Sequence, residues 1–144
     1  MRLLLQTAVH QPPAQVFAGF HQDLFKKLAP PFPPVKLLRF DGSKAGDTVS
    51  LELNFLLFRQ RWDSFITEFF QSTQEIYFVD EGTKLPFFLK YWRHKHRIVA
   101  AGQGAVIIDE ITFKAPFLLL TWLLYPALYL QFLYRKPIYR KIFK

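Results

Sequence analysis

The chain contains no cysteine, which excludes a disulfide scaffold, thiol catalysis and any metal site built on thiolates. It has no Gly-rich phosphate loop, dinucleotide fingerprint or serine-nucleophile motif, so no cofactor is expected and covalent serine chemistry has no candidate. Internal repeats and low-complexity linkers are absent as well. Charged residues are only 21% of the chain and hydrophobic ones 51%, a balance that excludes intrinsic disorder. The 144 residues suffice for one core, and the expectation is a single domain over 1–144, with 117–144 as its C-terminal helix and basic tail.

Acidic residues are missing from the whole C-terminal end. All eleven lie before residue 115, where fourteen Lys/Arg nearly balance them, whereas the last ten residues carry Arg135, Lys136, Arg140, Lys141 and Lys144. The net charge of +8 is therefore mostly a tail. Nucleic-acid binding needs a basic face with outward-directed aromatics, so no nucleic-acid partner is expected. The tail suits either a solvated helix end that complements the helix dipole or reversible contact with an anionic membrane surface.

Aromatic residues are in excess. Seventeen Phe, six Tyr and three Trp are more rings than so small a core packs solidly, so some are expected to line a cavity or a contact surface. Residues 115–134 form a run of twenty without a charge, followed by cations. That run matches a membrane span closed by positive residues. Pro126, Gln131, Thr121 and the mixed-polarity aromatics suit instead a helix laid over an aromatic cavity, and both readings stand. The corresponding location is cytoplasmic, with membrane association as the alternative. The apolar start Met1–Leu5 breaks at Gln6-Thr7, too early for a secretion signal, and reads as a first strand.

Periodicity organises the rest. Leu3–His10 reads as a strand; after Pro12-Pro13, Val16, Phe17, Phe20, Leu24, Phe25 and Leu28 recur at helical spacing, with Gly19 and His21-Gln22 dividing two short helices. Pro30, Pro31, Pro33 and Pro34 force an extended connection. Val35–Phe40 and Thr48–Phe55 read as strands, the second with Val49, Leu51, Leu53 and Phe55 on one face. Arg59–Gln71 and Glu75–Val79 follow around a turn at Ser72-Thr73. The alternation does not say which side of Trp62, Phe65, Ile66 and Phe69 points inward. Asp80-Glu81-Gly82 reads as a turn.

Tyr91–Val99 is the most informative stretch. Arg93, Lys95 and Arg97 alternate on one face and mark the solvent side, so Trp92, His94, His96 and Ile98 face inward. A short turn at Gly102-Gln103 joins it to Ala105–Phe113, whose inner face carries Ile107, Asp109, Ile111 and Phe113. That turn sets His96 across from Asp109 and His94 across from Ile111. The expected class is thus α+β: a curved antiparallel sheet of six or seven strands wrapped around a long C-terminal helix, with a cavity between them and two short helices after the first strand.

The segments Arg61-Trp62-Asp63-Ser64-Phe65-Ile66-Thr67, Phe78-Val79-Asp80, Leu85-Pro86-Phe87-Phe88, Trp92-Arg93-His94-Lys95-His96, Ile108-Asp109-Glu110-Ile111 and Phe132-Leu133-Tyr134-Arg135 resemble the SRPBCC group, the START/Bet v 1-like superfamily of ligand-binding proteins and polyketide cyclases. Within it, they are similar to a bacterial branch with a W-x-H-x-H strand. The resemblance implies a helix-grip fold whose cavity takes a hydrophobic small molecule such as a lipid, isoprenoid or aromatic polyketide. It supplies no reaction.

The expected ligand-binding residues are Phe55, Trp62, Phe78, Trp92, His94, His96, Asp109, Ile111 and Trp122. His96 and Asp109 are expected to be hydrogen-bonded to each other, which satisfies two buried polar groups. The same pair is the one candidate general base for a cyclase or dehydratase. His94, His96 and Asp109 could also ligate a metal, but the hydrogen-bonded pair is favoured and no metal is expected.

Overall fold

A computed structural model describes residues 1–144. Strand β1 (Arg2–Val9) is followed by two short helices, α1 (Pro13–Ala18) and α2 (Gln22–Leu28). Six strands come next: β2 (Val35–Phe40), β3 (Thr48–Asn54), β4 (Arg59–Gln71), β5 (Glu75–Lys84), β6 (Tyr91–Ala101) and β7 (Gly104–Lys114). The chain closes with α3 (Leu118–Leu133) and α4 (Arg135–Ile142), which meet at Tyr134. All neighbouring strands are antiparallel in the order β1-β7-β6-β5-β4-β3-β2. This is the helix-grip architecture, a curved seven-stranded sheet with a long C-terminal helical segment.

Alternation places the core. On β1, Leu3, Leu5, Thr7 and Val9 are buried and the residues between them exposed. On β6 and β7, the buried sets are Trp92, His94, His96, Ile98 and Ala105, Ile107, Asp109, Ile111, Phe113. The β6–β7 turn has the register read from the sequence, with Ala101 paired to Gly104 and His96 to Asp109. Gly102 takes φ of +59° there, the left-handed region that glycine enters without a Cβ clash. Gly104 has a different reason: a Cβ on it would run into the Val9 carbonyl oxygen of β1.

Strand β4 explains why its inner face was ambiguous. Its pairing with β5 slips between Ile66 and Glu68, leaving Thr67 as an extra residue. A bulge of this kind reverses the parity of everything beyond it. Ser64 and Ile66 are buried before the bulge and Phe69 packs on the core after it, while Phe65 turns out to solvent.

Two apolar clusters result. One joins Val16, Phe20, Leu24 and Leu28 of the short helices to Ile66, Phe78, Ile98 and Ile107 of the sheet, and to Tyr139 and Phe143. The other joins Leu3, Leu5, Trp92, Ile111 and Phe113 to Leu89 and to Leu128 and Phe132 of α3. The buried polar residues His94, His96 and Asp109 lie along β6 and β7 between them.

Asp80, the basic tail and the uncharged run 115–134 each differ from the sequence reading. Asp80 is no turn residue: β5 runs on to Lys84 and presents Asp80 on the same face as Ile76 and Phe78. The basic tail is a docked helix, because Ile138, Tyr139, Ile142 and Phe143 recur at helical spacing and pack into the first cluster. Of its cations, Arg140, Lys141 and Lys144 are exposed, but Arg135 turns inward. The uncharged run 115–134 holds the whole of α3, Leu118–Leu133. No helix is long and apolar enough to cross a membrane, and the sixteen residues of α3 reach only about 24 Å, against a hydrocarbon thickness of about 30 Å.

Candidate functional site

Sheet and α3 enclose a cavity of about 740 Å³. Its walls are mostly apolar: Val49, Leu51 and Leu53 of β3, Trp62 of β4, Phe78 of β5, and Leu124 and Leu128 of α3. Trp62 and Trp92 meet edge-to-face with ring centroids 4.8 Å apart, a favoured aromatic geometry. Phe32, Phe55, Phe87 and Phe88 also line it. Polar chemistry enters through Asp80, His94, His96 and, from the helix side, Arg135.

The two histidines lie on one strand at i and i+2, so both rings rise from the same face. They stack on each other with centroids 3.5 Å apart, and Phe78 stacks on the outer side of His96 at 4.3 Å. The carboxylates cross. His94 Nε2 meets Asp109 Oδ1 at 2.8 Å, and His96 Nε2 meets Asp80 Oδ2 at 2.6 Å. The remaining nitrogens lie farther off, His94 Nδ1 at 3.7 Å from Asp80 and His96 Nδ1 at 4.0 Å from Asp109. Trp92 Nε1 donates to the other Asp80 oxygen at 3.1 Å.

The expected His96–Asp109 hydrogen bond is therefore absent, although the two residues are register partners. Residues directly opposite share a face, but each long imidazole leans along its strand and reaches the diagonal carboxylate. Asp80, the acid that completes the network, was missed. Its signal was the unbroken alternation Ile76, Phe78, Asp80.

Electrostatics follow from burial and pairing. Burial pushes His96 down, the adjacent His94 adds to this, and the two carboxylates only partly oppose it, so its pKa falls to about 4. The ring is neutral at pH 7. Since an ionised carboxylate only accepts, the proton sits on Nε2 and leaves the Nδ1 lone pair buried without a partner. Burial raises the Asp80 pKa, but the hydrogen bond from His96, electrostatic attraction to the two imidazoles and the Trp92 N–H outweigh it, and the carboxyl ends below the usual range. Burial likewise works against Asp109, and His94 and Arg135 bring it down. The Tyr139 hydroxyl is raised, by burial first and then by the charge of Asp109.

Arg135 holds its guanidinium over the Phe132 ring at 4.2 Å. Its Nε and Nη1 are buried without hydrogen-bond partners. A guanidinium is always charged and carries only donors, and Arg135 lines the cavity, so an acceptor oxygen can be met there.

Asp80, His94 and His96 also bring three ligand-type atoms within 4.8 Å of one another. Asp109 stands behind His94 as an outer carboxylate does behind a ligating imidazole. The sequence offered Asp109 as the third donor; the structure puts Asp80 in that position. A cation here would replace the 2.6 Å His96–Asp80 bond.

Of the residues singled out from the sequence, Phe55, Trp62, Phe78, Trp92, His94 and His96 line the cavity. Asp109 and Ile111 are buried but not on its surface. Trp122 is 61% exposed on the outer side of α3 and does not face the cavity. A helix that is apolar all round gave no period by which to tell its two sides apart.

No protein-family model matches the sequence, and no curated protein matches it. Solved structures do. Norcoclaurine synthase from Thalictrum flavum, in complex with dopamine and hydroxybenzaldehyde, superposes with a TM-score of 0.62 at 10% identity over 88% of this chain and 76% of that one. The Zhui aromatase/cyclase from Streptomyces sp. R1128 gives 0.53 at 15% identity, covering 81% and 70%. Ara h 8.0201 gives 0.55 at 17% identity, covering 81% and 79%. At these identities the likeness is one of fold.

Proposed function

We propose that this chain, Bet v 1-like in fold, binds a hydrophobic small molecule between its sheet and α3, with the polar end of the ligand at the floor. The observation that carries this reading is the cavity itself: about 740 Å³, walled by aliphatic and aromatic side chains, with a few convergent polar groups at one place. Pockets for small ligands have this size and this distribution of polarity. An apolar body of aromatic-polyketide, isoprenoid or lipid type fits the walls, and an acceptor oxygen on it can meet the Arg135 guanidinium.

Binding is favoured over catalysis. The Asp80–His96 pair has the form of an oriented base, but with a pKa of about 4 the imidazole is a weak proton acceptor at pH 7. The expected His96–Asp109 base is not formed. Titration with N-phenyl-1-naphthylamine, a neutral probe that fluoresces in apolar surroundings, tests the reading. The chain is expected to bind it saturably, and Val49→Trp, which fills the cavity from β3, is expected to abolish the signal while the fold is kept. Unchanged binding by Val49→Trp contradicts it.

A further inference from the structure

The outer side of α3 is as apolar as the side that faces the cavity. Leu118, Leu119, Trp122, Leu123 and Leu133 are all exposed, several by more than 60%. Isolated surface leucines are ordinary, but a contiguous apolar strip along a whole helix marks a contact surface. A second apolar projection stands at the β3–β4 loop. Leu57 there is 96% exposed, and Leu56 is 81% exposed with φ of +72°, a conformation unfavourable for a bulky residue. The loop is nonetheless well held: Asn54 Oδ1 accepts from the Leu56 N–H at 2.9 Å, and the Phe55 N–H donates to the Phe58 carbonyl at 2.9 Å.

Loop and helix belong to one rim. Phe58 contacts Phe87 with centroids 5.7 Å apart, and Phe87 contacts Phe88 at 5.4 Å. Phe88 packs against the second apolar cluster, as Leu124 and Tyr125 of α3 do. Phe87, Phe88 and Leu124 line the cavity, so the apolar rim borders it.

Charge identifies the occupant. Residues 115–144 contain no acidic residue, and exposed Arg140 and Lys141 of α4, with Lys144 just beyond it, supply only positive charge. Tyr129 and Tyr134 are exposed on the same segment as Trp122, and Trp and Tyr settle where hydrocarbon meets headgroups. The helix is too short to span, yet its outer side is too apolar for water. We infer that α3 and the Leu56–Phe58 loop seat the chain in the surface of an anionic lipid bilayer, parallel to it, with the mouth of the cavity toward the lipid. This deepens the reading of the cavity as a hydrophobic site, because such a molecule would then pass between bilayer and cavity without crossing water.

The test uses the full chain with vesicles of phosphatidylcholine, alone and with one-third phosphatidylglycerol, sedimented at low and high salt. Three cations near the surface favour the anionic vesicles by about a hundredfold at low salt. The triple variant Leu119→Ser, Trp122→Ser, Leu123→Ser is expected to lose sedimentation. Arg140→Gln, Lys141→Gln, Lys144→Gln should lose only the anionic preference. Brominated lipid chains should quench part of the tryptophan emission, and Trp122→Phe should remove the quenched part. Binding of N-phenyl-1-naphthylamine without vesicles is measured on the same variants and should persist, which keeps a failure here separate from failure of the cavity reading. Vesicle binding that the triple variant leaves intact overturns the inference. So does a wild-type chain that ignores vesicles and forms a dimer which the triple variant dissociates: the strip then belongs to a second copy. Absence of both vesicle binding and self-association overturns it too.

Discussion

Replacing Asp80 with Ala is the most discriminating perturbation of the polar floor. The carboxylate accepts from two donors, His96 Nε2 at 2.6 Å and Trp92 Nε1 at 3.1 Å. A buried donor left unpaired costs about 1–3 kcal/mol, so the two together set a loss of about 2–6 kcal/mol. Relief of the desolvation borne by the carboxylate draws the net toward the lower end. Asp109 accepts from one imidazole, His94, at 2.8 Å, and Asp109→Ala should cost about 1–3 kcal/mol. The order matters more than the values: Asp80→Ala is the more damaging change. Urea unfolding of the single and double variants measures it. In double-mutant cycles, His96→Ala should couple to Asp80→Ala by about 1–3 kcal/mol and to Asp109→Ala, 4.0 Å away, by less than about 0.5 kcal/mol. A larger coupling of His96 to Asp109 than to Asp80 would falsify the crossed arrangement.

Other outcomes follow from the same geometry. The pKa of His96 falls from 6.5 to about 4 on folding, so the unfolded chain binds more protons in that window. Stability is complete above pH 6.5 and should fall by about 3 kcal/mol as the pH drops to 4; His96→Gln should flatten urea midpoints measured across that range, and an unchanged slope refutes the assignment. Arg135 should make the cavity prefer an acid: biphenyl-4-carboxylate is expected to bind about tenfold more tightly than biphenyl-4-methanol. Arg135→Gln should erase that preference and Arg135→Lys retain part of it; a preference untouched by Arg135→Gln would show that the guanidinium does not face the ligand. Gly104→Ala forces a Cβ against the Val9 carbonyl and should destabilise by about 1–3 kcal/mol, read as a lower thermal midpoint, whereas Gly46→Ala has open space around its Cβ and should lose only what its positive φ of 94° imposes. Equal losses would argue against the close β1–β7 approach.

The architecture was legible where a period persisted. Three cations at alternate positions fixed the face of β6, and a short glycine turn fixed its register with β7, so His96 and Asp109 could be paired by arithmetic. Their hydrogen bonds could not, because register places Cα atoms and says nothing of how an imidazole leans. The inner face of β4 was hidden by the extra residue at Thr67, which period-two reading has no means of detecting. Asp80 was lost to local composition: Asp-Glu-Gly is turn chemistry, and only pairing with β4 and β6 keeps it extended. Arg135 looked like one of five tail cations. The apolar recurrence at 138, 139, 142 and 143 was the available sign that the chain continues as a packed helix and turns Arg135 inward.

The cavity reading is tested most directly by what the chain carries. Protein purified under native conditions is extracted with organic solvent, and the extract is analysed by mass spectrometry beside that of Val49→Trp. An apolar small molecule in near-stoichiometric amount from the unmodified chain, and depleted from the filled variant, is the expected result. An extract without such a molecule, from protein that also fails to bind N-phenyl-1-naphthylamine, would contradict it.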